Sequence, residues 1–230
     1  MDKDYCCVIS LGMRCFTEIF LKNMSFKQFS MPFDGMYSVK IADIIDIMKN
    51  GINYNDLIYT EILNDPLIIE LNKKHGYRTI NKKINYNSSD LLESYHNAFL
   101  PHHNLNDINI KKHFERCFER LKKIENNKIK TLFCIFIFPN YSIDKDVSKE
   151  DIYQLSNFLS TNYNCRLLVC KFNKINNDYK IKKIIDDNNL IYYHINNNSH
   201  KFYDNKDELE IIFSEFKIDK NNLLKYNSIS

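Results

Sequence analysis

Residues 129–138 read IKTLFCIFIF, an apolar run with almost no polar interruption. Two more runs of the same kind follow, RLLVCKF at 166–172 and LIYYHI at 190–195. Strands exposed to water on one face alternate polar and apolar residues, whereas strands covered on both faces do not. Between and after these runs, 148–160, 179–187 and 206–216 carry apolar residues at helical spacing. Apolar strands separated by helices predict a parallel sheet with helices on both faces. Residues 6–11 (CCVISL), stopped by Gly12, add an opening strand, and 15–23 (CFTEIFLKN) follow with Phe16, Ile19 and Phe20 at helical spacing. The expected fold class is therefore α/β: three layers, with a mostly parallel sheet of at least four strands.

Between these two halves, 39–49 and 110–125 read as amphipathic helices, the second with Ile110, Phe114, Cys117, Phe118, Leu121 and Ile124 on one stripe. Residues 51–107 read as a helical or mixed insertion. Within it, 67–71 and 77–84 suggest a hairpin around Lys74-His75-Gly76, and Ser88-Ser89-Asp90 suggests a cap before a helix at 91–99. No linker rich in Gly, Pro or Ser divides the 230 residues, so a single domain over 1–230 is expected, with a polar tail at 221–230 that frays.

Composition excludes several functions. With 32 basic and 29 acidic residues the net charge is +3, short of the strongly basic face that binding nucleic acid through its phosphates needs, and no nucleic-acid partner is expected. The four glycines, Gly12, Gly35, Gly51 and Gly76, are too far apart for a dinucleotide-binding or Walker A loop, and no cofactor is expected. No Cys/His set has metal-ligand spacing, so no metal is expected either. The acidic, polar start is unlike a signal peptide, and no apolar run is long enough to span a bilayer. A cytoplasmic protein without membrane contact follows. Seven scattered cysteines are not a disulfide framework, and Cys6, Cys7, Cys134 and Cys170 read as small hydrophobes in strands. Roughly one residue in seven is Asn, a bias that suits an AT-rich genome such as that of a large DNA virus or a protist. The host cytoplasm would then be the setting. Oligomeric state and substrate are not encoded in any motif.

In an open parallel sheet, ligands gather beyond the carboxyl ends of the strands. The first such end is Ser10-Leu11-Gly12-Met13-Arg14-Cys15. A cysteine in the first turn of a helix meets unpaired N–H groups and the positive end of the dipole, which favour thiolate, and Arg14 adds to this. A small buried residue at a helix start is the plainer reading. Leu100-Pro101-His102-His103-Asn104 could supply a base for a thiol, or could be solvated loop. Asp34, in the apolar loop Ser30-Met31-Pro32-Phe33-Asp34-Gly35, could orient an imidazole or could tie the loop's own amides together. His200, before 206–216, reads as an exposed loop residue, His194 as a strand-end histidine, and His75, His96 and His113 as residues without partners at useful spacing.

Together, Ile9-Ser10-Leu11-Gly12-Met13-Arg14-Cys15, Leu21-Lys22, Ser30-Met31-Pro32-Phe33-Asp34-Gly35, His102-His103 and the basic helix Phe114–Arg120 resemble a known set of motifs. They are similar to those of an uncharacterised family of papain-like cysteine peptidases from bacteria and large DNA viruses. That family's pattern is S-L-G-x-x-C, a helix, S-x-P-F-D-W, a later histidine and an arginine-bearing helix before an apolar strand. The resemblance spans about residues 7–172, with Gly35 where the family has tryptophan. It implies Cys15 as nucleophile, His103 or His102 as base and Asp34 as orienter. In that scheme Asn104 is a second candidate orienter, and the N–H groups of Gly12, Met13, Arg14 and Cys15 meet an oxyanion or substrate. The papain-like label also implies an antiparallel sheet, against the parallel one that the alternation predicts. Two other functions fit the same residues: a non-catalytic binding module for virus–host interaction, and an esterase or transferase acting on a phosphorylated or glycosyl substrate.

Overall fold

The computed structural model describes residues 4–12, 15–27, 29–34, 40–81, 104–105, 107–138, 147–173, 179–197 and 205–219. Its centre is a five-stranded sheet in the order β1 (Cys7–Ser10), β4 (Thr131–Ile137), β5 (Cys165–Asn173), β7 (Leu190–Asn196), β6 (Ile181–Asp186). The first four strands are parallel, and β6 runs antiparallel along the edge of β7. The α/β class and the mostly parallel sheet expected from the apolar runs are both present, and the central sheet is parallel but for its edge strand, where the papain-like label implies an antiparallel one.

Alternate residues of each strand feed two separate cores. Ile9, Phe133, Ile135, Val169 and Tyr192 face α2 (Ile41–Asn50), α4 (Ile108–Asn126) and α5 (Lys149–Asn162). Val8, Phe136, Cys170 and Tyr193 face α1 (Cys15–Asn23) and α6 (Lys206–Ser214). All seven residues of β4 are buried, as a strand covered on both sides requires. Helix ends follow local chemistry. Asp107 caps α4 by accepting from the Asn109 amide at 2.8 Å, and Ser148 and Asp151 form a reciprocal capping box on α5.

Two sequence expectations are corrected. The helix expected at 179–187 is strand β6. The Ile181, Ile184 and Ile185 spacing suits a helix, but Asp187 accepts from the Asn189 and Leu190 amides at 2.8 and 2.7 Å and turns the chain back as a hairpin. The hairpin expected from 67–71 and 77–84 is instead helix α3 (Pro66–His75) followed by β3 (Thr79–Asn81), which pairs antiparallel with β2 (Leu57–Tyr59). Asp65 accepts from the Leu67 and Ile68 amides, and Pro66 takes the first helical position, so a helix starts where a strand was expected. These elements enclose a small core of their own around Ile68, Leu71 and Ile80. The expected helix at 91–99 and the tail at 221–230 lie outside the described residues. No helix among the described residues is long and apolar enough to cross a membrane.

Candidate functional site

The chain leaves β1 through Leu11, whose amide donates to the Cys134 carbonyl at 2.9 Å, and reaches Gly12 at φ 81°. That left-handed backbone favours glycine, and the Gly12 amide donates to Ser10 Oγ at 3.3 Å. Helix α1 begins three residues later, at Cys15. The backbone of Cys15 therefore occupies the first turn of a helix at the carboxyl end of a parallel strand. Its side chain lies outside the described residues, as do Met13, Arg14, His102, His103, Gly35 and His200.

Past α1, the chain folds back so that the 27–34 segment packs between α1 and α4. Phe26 and Lys27 both donate their amides to the Leu21 carbonyl. Met31, Pro32 and Phe33 are buried, and Asp34 closes the turn: its amide donates to Met31 O at 3.1 Å while its Oδ2 accepts from the Met31 amide at 2.5 Å. The loop-tying role is thus observed for Asp34. Lys27 Nζ lies 2.8 Å from the same Oδ2 and also contacts Glu18, which stands three residues after Cys15 on α1.

From the other side, α4 presents His113, Cys117 and Arg120. The Arg120 guanidinium donates to the Ser30 carbonyl at 3.1 Å and lies 3.8 Å from Cys117 Sγ, and His113 Nε2 lies 3.6 Å from that sulfur. The basic helix of the motif set and its S-x-P-F-D loop are therefore joined by a direct hydrogen bond. The reading of His113 as partnerless is corrected, since a residue four positions along a helix shares its face. Asn104 is half-buried, and its carbonyl accepts from the Asp107 amide at 3.0 Å just before α4.

Burial dominates the electrostatics. Asp34 is pushed up to about 6, chiefly because its charged form is poorly solvated. The Lys27 ammonium opposes this rise and Glu18 adds to it. Burial lowers His113, helped by Arg116, Arg120 and Lys27, and burial raises Cys117 to about 11 against the pull of Arg120. A protonated thiol beside a neutral imidazole is a hydrogen-bonded structural pair, not an activated nucleophile. Cys7, Cys134, Cys165 and Cys170 are likewise raised by burial. The strand cysteines Cys7, Cys134 and Cys170 are buried and free, as small hydrophobes would be. Among the described residues, no group of three or more His, Cys, Asp or Glu could hold a metal ion.

The sequence reading missed Lys27, His113 and Cys117. Helical spacing could have flagged the last two together with Arg120, since 113, 117 and 120 recur at i, i+4 and i+7. Lys27 carried no such signal, because only the fold-back after α1 brings it to Asp34.

Residues 6–159 match the model of a family described as "putative papain-like cysteine peptidase". No curated protein matches, and no solved structure does.

Proposed function

This chain belongs to that papain-like cysteine peptidase family, and from that premise we propose that it is a thiol-dependent hydrolase whose nucleophile is Cys15. One observation carries the reading: α1 starts at Cys15, directly beyond the carboxyl end of β1. Unpaired amides and the helix dipole at such a position favour thiolate. In this reading the Cys15 sulfur attacks an acyl carbon, and the amides of Met13, Arg14 and Cys15 receive the oxyanion, the Gly12 amide being engaged by Ser10 Oγ. His103, or His102, takes the thiol proton and returns it to the leaving group. Water then hydrolyses the thioester and regenerates the thiol. Asp34 orients the imidazole through Oδ1, because both of its described side-chain contacts fall on Oδ2. A peptide or similar acyl compound is the substrate class.

The test is the rate of iodoacetamide labelling at neutral pH, resolved residue by residue. Cys15 is expected to react much faster than the other thiols, and His103→Ala with His102→Ala to slow it. Labelling of Cys15 at the rate of an ordinary exposed thiol, unaffected by the histidine substitutions, overturns the proposal. It would leave a binding module on the same scaffold.

A further inference from the structure

A second polar cluster lies at the carboxyl end of the sheet, over β5, β6 and β7. His194 on β7 pairs in register with Lys171 on β5 and with Lys182 on β6, so the three side chains form one row on one sheet face. That row stands on the face covered by α5, whose first residue is Lys149. Ile137 of β4 continues the row on the far side of Lys171. Behind it, the buried Tyr192 places its hydroxyl 3.1 Å from His194 Nε2, with the two rings edge to face at 5.1 Å.

Two ammonium groups flanking an imidazole across adjacent strands repel one another, and like charges directly opposite destabilise a sheet. None of Lys149, Lys171 and Lys182 makes an ion pair with a described residue. Among the described residues, Lys182 lies over the face of the Tyr179 ring, at 5.5 Å. On α5, the nearby Asp151 carboxylate is engaged with the Ser148 amide and hydroxyl, which leaves the exposed Glu150 as the other acid of that first turn. Burial is the main influence lowering the His194 pKa, and Lys171, Lys149 and Lys182 push in the same direction.

We propose that Lys149, Lys171, Lys182 and His194 form a binding site for a dianionic phosphoryl group, free or as the monoester of a small molecule. Three ammonium groups and an imidazole donor supply charge-assisted hydrogen bonds to the phosphoryl oxygens. The carboxyl end of a parallel sheet is the place where an open α/β fold receives such a ligand. This site uses none of the residues assigned to the thiol chemistry and stands or falls apart from it.

The test is NMR of the full-length chain, with the His194 imidazole resonance assigned by His194→Gln. Inorganic phosphate and glycerol 3-phosphate are titrated separately against chloride at matched ionic strength. Binding of a dianion is expected to raise the His194 titration midpoint saturably, and tighter binding of the ester would identify a monoester as the ligand. Lys171→Gln with Lys182→Gln removes two charge-assisted contacts and is expected to weaken binding by at least about tenfold, the worth of one of them. The single variant Lys149→Gln, on the exposed helix surface, gives an independent reading if the double variant does not fold. A shift reproduced by chloride, no saturable shift with either phosphate, or equal affinity in the folded variants overturns the proposal.

Discussion

Lys27 Nζ and Asp34 Oδ2 stand 2.8 Å apart in a pocket where both side chains are about nine-tenths buried, yet burial pushes the carboxyl group up to about 6. The cost of removing the carboxylate from water outweighs the attraction of its partner. Because the folded value lies above the unfolded ~3.9, the native state holds this proton more tightly. Asp34 therefore contributes stability that is full below pH ~4 and is lost as the pH rises through about 6. The difference is on the order of 2–3 kcal/mol. Urea unfolding across pH 4–7 should show this decline, and Asp34→Asn should flatten it. An unchanged slope in the variant would mean that Asp34 titrates alike in both states.

The Arg120 bond to the Ser30 carbonyl is the direct hydrogen bond from α4 to the 27–34 loop. Arg120→Ala should cost about 1.5–3 kcal/mol, as loss of a hydrogen bond from a charged donor does. Amide exchange should accelerate in residues 29–34 more than in β4. Arg120→Lys, which carries one charge but no planar fork, should recover only part of the loss.

His113 is depressed by burial and three nearby cations, so its neutral form is the native one. A lowered histidine contributes stability that is present above its unfolded value of ~6.5 and is lost as the pH falls. The imidazole carbon resonance of His113 should accordingly titrate below that of a peptide histidine. Arg116→Gln should move it upward, because Arg116 is the largest of the charge effects on it. A normal midpoint that ignores the substitution would count against the packing of α4 on Lys27.

How much of this was legible depended on whether the signal was local. The runs at 129–138, 166–172 and 190–195 announced parallel strands because burial on both faces erases polar alternation, and the sheet follows them closely. Helix α4 was readable from the Phe114, Cys117, Leu121 and Ile124 stripe. The edge strand β6 was not, since three isoleucines satisfy a helical spacing and a strand equally well, and the hairpin with β7 decided between them. At the candidate site, the position of Cys15 at the start of a helix followed from a strand, a glycine and an amphipathic run. The cluster of Glu18, Lys27, Asp34, His113, Cys117 and Arg120 did not, because it joins residues up to 102 positions apart through the tertiary fold alone.

The turn that makes β6 a strand is itself testable. Asp187 accepts two amides, and the Arg166 guanidinium contacts both its carbonyl and the Asp186 carboxylate. Asp187→Ala should destabilise the protein by about 1 kcal/mol, the usual worth of such a side-chain acceptor. The change should appear first as faster exchange of β6 amides, at the sheet edge, with β4 unaffected. Uniform acceleration throughout the sheet would show that the hairpin opens only with the whole fold.

Thiol accessibility gives a final check that is independent of catalysis. Cys7, Cys117, Cys134 and Cys170 are buried at 2% exposure or less, and burial raises each of them. A thiol must be both ionised and reachable to be alkylated, so these four should resist iodoacetamide at pH 7.5 until the protein opens. Cys165 is half-buried and pushed up to about 12, so it should react slowly, with a rate that climbs as the pH approaches that value. Cys117 is the informative member of the set. It is held between His113 and Arg120 at the contact between α4 and the 27–34 loop. Its labelling should accelerate in Arg120→Ala while Cys134, in the centre of the sheet, stays protected. If native Cys117 reacts as fast as a free thiol, α4 does not rest on that loop as described, and the polar cluster linking it to Asp34 is not formed.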